Sequence, residues 1–174
     1  MTMELLYADT DFKTPLIFIL SPGADPTAQL HKFAEEMGYT GDRSLGEISL
    51  GQGQGERALR LVKDSSKEGL WVMLKNCHLS ERFMPDMEKM VLDLALTDGI
   101  SPDFRLFLTS MPAPFFPTSV LQNGVKLTTE PPRGLKANLK RTYIDFNDSF
   151  IDSCKKPEIW KKMLFGLSFM HAIV

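Results

Sequence analysis

Cysteine is nearly absent from this chain: Cys77 and Cys154 are the only 2 among 174 residues. Two cannot build the disulfide framework of a small secreted domain, and they suit a reducing compartment. A dominant charge is missing as well. Lys and Arg number 20 against 22 Asp and Glu, for a formal charge of −2 at neutral pH. Nothing general therefore draws the chain to DNA, RNA or an anionic membrane. No run approaches the ~18 apolar residues of a membrane span. The opening MTMELLYADTDFK is too acidic for a signal peptide, so a cytoplasmic-type domain is expected. Internal repeats and low-complexity tracts are lacking too. What remains is 43% hydrophobic and 24% charged, the composition of a packed globule of one domain, or one plus a docked fragment.

The last stretch, PEIWKKMLFGLSFMHAIV, is apolar at near-helical spacing through Ile159, Met163, Leu167 and Met170. It reaches Val174 with no glycine cap, charged last turn or polar tail. Such a helix leaves its last carbonyls and its apolar face without partners, so the chain is expected to be a piece of a longer protein.

Upstream, short apolar runs alternate with amphipathic ones. PLIFILS reads as a buried strand, and Asp25-Pro26 then starts a helix, an acidic cap with proline at the first position. That helix shows Leu30, Phe33, Ala34 and Met37 on one face and stops at Gly38. A strand around Ile48–Leu50, a glycine loop and a helix carrying Ala58, Leu61 and Val62 follow. LWVMLKNCHL is the most apolar strand candidate, and the next helix turns Met84, Met87, Val91 and Leu94 inward. FRLFLTS and GVKLTTE supply the fourth and fifth strands, and LKANLKRTY and the C-terminal stretch read as helices. Strands too apolar for a wet face, alternating with helices, predict an α/β three-layer sandwich: a parallel five-stranded sheet with helices on both faces. Chemistry in such folds sits in the turns at the carboxyl ends of the strands.

The first turn, Ser21, Pro22, Gly23, Ala24 and Asp25, occupies the position of a nucleotide phosphate loop. A working loop needs several glycines, a lysine for the terminal phosphates and a hydroxyl for Mg²⁺. This turn has one glycine, and no lysine falls between Lys13 and Lys32. Asp25 also puts the protein's own carboxylate where the helix N-terminus would attract phosphate. The strand that would supply the metal carboxylate and the water-activating glutamate ends in Lys75-Asn76-Cys77-His78, with no acid. Asn76 can hydrogen-bond but cannot act as a base. Hydrolysis of ATP by this domain alone is not expected, and no catalytic residue is assigned.

The second turn, Gly51 to Arg57, is a rival phosphate cradle through Gly51, Gln52, Gly53 and Gly55. Its spacing is GxGxG rather than the dinucleotide GxGxxG, and no acid follows at the next strand end to hold a ribose. A tight turn with close backbone packing is the plainer reading. Cys77 and His78, read as neighbours on a strand, would point to opposite faces and could not share a metal ion. No metal site is expected. Arg133, Lys136, Lys140 and Arg141 fall at helical spacings and make one basic face, either solvated or in contact with a neighbouring domain. The methionines at 84, 87 and 90 read as core filler.

FILSPGADP, ISLGQGQG, LWVMLKNCHLSERFMPDMEKM, FRLFLTSMPAPFFPTSVLQNGVKLTTEPPRGLKANLKRTY and KKMLFGLSFMHAIV together resemble dynein heavy chains. The similarity is to the sixth and last AAA+ module of the motor ring and runs from about Thr14 to the end. SLGQGQG with LQNGVKLT is closer to axonemal than to cytoplasmic members. The resemblance implies a P-loop-like sheet in the order 5-1-4-3-2. It implies a degenerate module that does not turn over nucleotide, inside a minus-end-directed microtubule motor fuelled by ATP and Mg²⁺. It further implies contacts with the first and fifth modules and the C-terminal region of the same chain. The parent would bind intermediate and light chains and sit in the cytoskeleton of cilia or flagella. A large subdomain over 14–150 would be followed, over 151–174, by the start of a small helical subdomain whose helix opens near Trp160. Two other readings stay open: a module that binds nucleotide through the 51–55 loop without hydrolysing it, and a stand-alone α/β oxidoreductase or transferase.

Overall fold

The computed structural model describes residues 3–41, 45–51, 53–129, 134–144 and 146–173. They divide into two compact units, 1–130 and 131–174.

The first unit is built on a five-stranded parallel sheet: β1 (Leu16–Leu20), β2 (Gly46–Ser49), β3 (Trp71–Lys75), β4 (Arg105–Ser110) and β5 (Val125–Thr129), in the order β2-β3-β4-β1-β5. That is the order the resemblance implies, and four strands fall within a residue or two of their sequence-derived positions, while β3 ends at Lys75, four residues before the end of LWVMLKNCHL. The apolar runs are readable because the sheet is covered on both faces, so both sets of alternating side chains are buried. Leu16, Phe18 and Leu20 pack with Trp71, Met73 and Phe107 on one face, under Leu30 and Phe33 of α2 (Thr27–Glu36) and Leu6 of α1 (Met3–Ala8). Ile17, Val72, Leu74 and Leu108 pack on the other. That face is covered by α3 (Gly55–Glu68), α4 (Met84–Leu96) and α5 (Thr118–Asn123), through Val62, Met87 and Val120 among others. The connection from β1 to β2 runs across the sheet opposite to the later ones, so right-handed crossovers put α2 on the other face from α3, α4 and α5.

Two helices of this unit are absent from the sequence reading, α1 and α5. Each is six residues long, too short for a helical period to register. Met37 is also not part of the inward face of α2. It caps the helix and is 44% exposed, because the chain turns at Gly38 and the Gly38 and Tyr39 amides bond back to Glu35 O and Ala34 O. Leu61 and Leu94 are only half-buried, against full burial of Ala58, Val62 and Met87.

The base of the α2 face is an aromatic cluster. Trp71 is fully buried; it stacks on Tyr39 at 4.3 Å between ring centres and meets Tyr7, Phe33 and Phe107 at 5.3–5.7 Å. The Trp71 indole N–H and the Tyr39 hydroxyl both donate to Asp103 O, at 3.2 and 3.1 Å. The Arg105 guanidinium lies 4.5 Å over the Tyr7 ring.

The second unit holds α6 (Leu135–Ile144), α7 (Asp148–Asp152) and α8 (Pro157–Ile173). This compact unit starts at 131, and within it α6 packs along α8. In α8 the buried residues are Leu164, Ser168 and Ala172. The apolar series read from the sequence faces outward instead, with Ile159, Met163, Leu167 and Met170 55–65% exposed.

Candidate functional site

Four strand ends meet at the carboxyl edge of the sheet, where β1, β2, β3 and β4 run into turns. After β1 the chain closes a four-residue turn, with the Ala24 amide donating to Ser21 O at 3.0 Å. Pro22 takes the second position and Gly23, at φ 79°, the third. That is the residue pattern of a type II turn, whose third position requires a positive φ. The turn is tied to itself rather than wrapped as a concave row of amides. Asp25 then accepts from the Thr27 amide at 2.9 Å, across the start of α2. The Thr27 hydroxyl and amide, helped by the nearby Lys75 ammonium, hold the Asp25 carboxyl below the usual carboxylate range. The cap position itself is Pro26 rather than Asp25, because α2 starts one residue later than the sequence suggests, at Thr27; Asp25 sets a fixed negative charge just before this helix N-terminus.

After β2, the Leu50 amide donates to Lys75 O at 2.9 Å, and Gly53 turns the chain into α3. Gly55 opens that helix directly against the Phe83 ring: a Cβ there would come within 2.6 Å of Phe83 Cδ2. The glycine at 55 is thus required by packing. Gln52 lies outside the described residues.

The β3 end departs from the sequence reading. Asn76 adopts the left-handed conformation (φ 56°, ψ 45°), the only positive-φ residue other than glycine among the described ones. Cys77–Leu79 then form a 3-10 turn. Cys77 and His78 are therefore not successive strand residues, and the opposite-faces argument does not apply to them. They separate nevertheless. The Cys77 thiol is fully buried, points to Leu74 O at 3.6 Å, and is pushed up to about 12 by that burial. The His78 Nδ1 accepts from the Met111 amide at 3.1 Å, pinning the end of β4. The Asn76 amide donates to Thr109 Oγ1 at 3.0 Å, and its side-chain Nδ2 to Ser49 Oγ at 3.4 Å.

One element of the edge was not foreseen. Lys75 Nζ lies 2.5 Å from Glu47 Oε2, and the other oxygen of Glu47 closes on His31 Nε2. Glu47 and Lys75 share a face because Glu47 pairs with Met73 and Ser49 with Lys75 in register. The three side chains come from β2, β3 and α2, so no local pattern in the sequence announces them. Lys75, the cation at this end of β3, is thereby occupied by a carboxylate of the same domain.

As a set, these groups brace the edge. No carboxylate among them is left free to orient a water, and no lysine reaches the first turn unpaired. Among the described residues, no group of three or more His, Cys, Asp or Glu side chains could hold a metal ion, and no helix is long and apolar enough to cross a membrane. The basic residues Lys136, Lys140 and Arg141 are exposed on α6, in the second unit; Arg133 lies outside the described residues.

Comparisons with known proteins agree with this architecture. A family model described as the dynein heavy chain region D6 P-loop domain matches residues 11–128. Mouse dynein axonemal heavy chain 3 is 50% identical over 97% of this chain, and human dynein axonemal heavy chain 6 is 46% identical over 99%. In both cases the chain spans 4% of the relative's length. Among solved structures, a Thermotoga maritima RuvB variant superposes with a TM-score of 0.51 at 16% identity, over 75% of this chain and 42% of that one, a likeness of fold alone. With the family model covering most of the sheet unit and near-half identity over almost the entire length, this chain belongs to the dynein heavy chain family, in its D6 P-loop region.

Proposed function

We propose that the chain is a structural, non-hydrolysing AAA+ module of an axonemal dynein heavy chain, part of an ATP-driven, minus-end-directed microtubule motor in the axoneme of a cilium or flagellum. The single observation that supports non-hydrolysis is the state of the carboxyl edge: the β1 turn is self-bonded and followed by Asp25, and Lys75 at the β3 end is engaged by Glu47. Phosphoryl transfer needs positioned cations and a group that orients the nucleophile. Here those positions carry an aspartate, a paired lysine and an asparagine. A stiff module of this kind would pass rigid-body movement between the first and fifth modules and the C-terminal region of its heavy chain. ATP and Mg²⁺ would act in the parent motor, not in this module. The large subdomain would occupy 14–150, with 151–174 opening the helical one.

Calorimetric titration with Mg²⁺-ATP and Mg²⁺-ADP, paired with thermal unfolding, tests the reading. A nucleotide at ~100 times its Kd would stabilise the domain by about 2.7 kcal/mol. The expected result is neither heat nor a shift at millimolar nucleotide. Micromolar binding would overturn it and direct attention to the Gly51–Gly55 loop as the cradle. The basic face of α6 is proposed as an inter-module contact: reversing Lys136, Lys140 and Arg141 in the whole motor should lower ATPase rate and gliding velocity. Unchanged motility would remove that surface from the proposal.

A further inference from the structure

A groove of the sheet unit lies away from the carboxyl ends of the strands, between α3 and α4. Its volume is about 510 Å³. The floor is apolar, made by Leu59 and Val62 of α3, Met90 and Leu94 of α4, and Ile100 beyond it. The walls are charged and sorted by sign. The α3 wall presents Lys63 and Lys67; the α4 wall and the loop after it present Asp86, Asp93 and Asp98, with Lys89 among them. All six are exposed, and none has an ion-pair partner among the described residues.

The two helices run parallel, since each returns from a carboxyl edge to the start of the next strand. Leu59, Val62, Lys63, Ser66 and Lys67 follow the i, i+3, i+4 rows that let one helix receive the ridge of another. From Leu59 to Lys67 the groove runs about 12 Å, two turns of a docked helix. A helix seated there would bury apolar residues on the floor and complete the charges on the walls.

We infer that this groove receives an amphipathic helix from elsewhere in the same heavy chain, with an acidic flank against Lys63 and Lys67 and a basic flank against Asp86, Asp93 and Asp98. Charge sorting sets the chemistry of the occupant, and opposite signs on the two walls also fix the direction in which it lies. The same polypeptide is named because this chain spans only 4% of its relatives' length. A second copy is a poor match. The exposed apolar helix α8 offers Lys161 and Lys162 but only Glu158 as an acid, at its first turn. The inference rests on the proposed structural role, since a module that works through contacts needs surfaces for them.

The test uses the full-length heavy chain carrying the photoreactive p-benzoylphenylalanine at Leu94, irradiated and mapped by mass spectrometry. The expected product joins position 94 to a helical peptide of the same chain, outside these 174 residues, with acids on one flank of its apolar face and bases on the other. The double reversal Lys63→Glu/Lys67→Glu should cut the yield about tenfold, and Lys63→Arg/Lys67→Arg should preserve it. Placing the photoreactive group at the exposed Thr97 on the rim repeats the measurement without touching the floor. No adduct from either position, an adduct to a different polypeptide, or a yield indifferent to the reversal would overturn the inference. The readout is independent of nucleotide: tight ATP binding would remove the non-hydrolysing reading and leave the adduct standing, whereas a missing adduct with silent nucleotide removes only the groove's occupant.

Discussion

The two ends of the sheet are tied by different chemistry. At the base, Trp71 sits among Tyr7, Phe33, Tyr39 and Phe107, with Asp103 O collecting two of their polar tips. At the crown the ties are polar and cross between strands: Lys75–Glu47–His31, Asn76 to Thr109 and Ser49, and His78 to Met111. In an α/β fold the crown is where turns usually stay open for a ligand. Here its groups are turned on one another, so both ends work as fastenings, one by area and shape, the other by charge and hydrogen bonds.

The comparison is broken most forcefully at the base. Trp71→Ala should destabilise the sheet unit by about 3–5 kcal/mol in denaturant unfolding, since it removes the centre of the cluster and leaves a cavity. Loss under 1 kcal/mol would mean that the cluster is not the base's main fastening. Next comes the packing of the second turn. Gly55→Val should cost about 1–3 kcal/mol because its Cβ meets Phe83, and pairing it with Phe83→Leu should recover part of that loss. If Gly55→Val is as stable as the parent, the glycine is not a packing requirement.

The crown should respond more weakly. Lys75→Met is expected to cost about 1 kcal/mol, a partly exposed pair, and to lose its salt sensitivity along with its charge. Smallest is Asp25→Ala, about 0.5 kcal/mol for loss of an exposed group that bonds the first amide of α2. Its pH dependence has a definite sign. The Asp25 carboxyl is lower when folded, so its contribution is fully present above the unfolded value near 3.9 and fades as pH falls through the folded one. The alanine variant should lack that part of the acid limb, and superimposable acid unfolding curves would show that Asp25 does not stabilise the start of α2.

Most of the sheet could be read from the sequence, because burial on both faces makes the inner strands β1, β3 and β4 largely apolar runs. The turn at Ser21–Ala24 was legible as a poor phosphate loop from its single glycine and missing lysine. Its closure by the Pro22–Gly23 pair is local chemistry of the same kind. The Glu47 bridge between Lys75 and His31 could not be read, since it joins three elements whose register only the folded sheet sets. Phe83 against Gly55 is equally non-local: the GxGxG spacing shows the glycine but not the ring that demands it. The packing of α6 along α8 could not be read either. LKANLKRTY looks like one more sheet-covering helix, and nothing in its own periodicity reveals that it packs with α8.

Asn76 carries a consequence for how such an edge could change. Its left-handed backbone suits asparagine, whereas most other side chains pay about 1–2 kcal/mol there. A glutamate introduced at 76 would inherit that strained geometry, and its carboxylate would leave from a backbone already bonded to Thr109. Under the proposed reading, a glutamate at 76 would therefore carry a backbone cost that asparagine does not. For that exchange the edge behaves as a ratchet, with the backbone conformation favouring the asparagine in place.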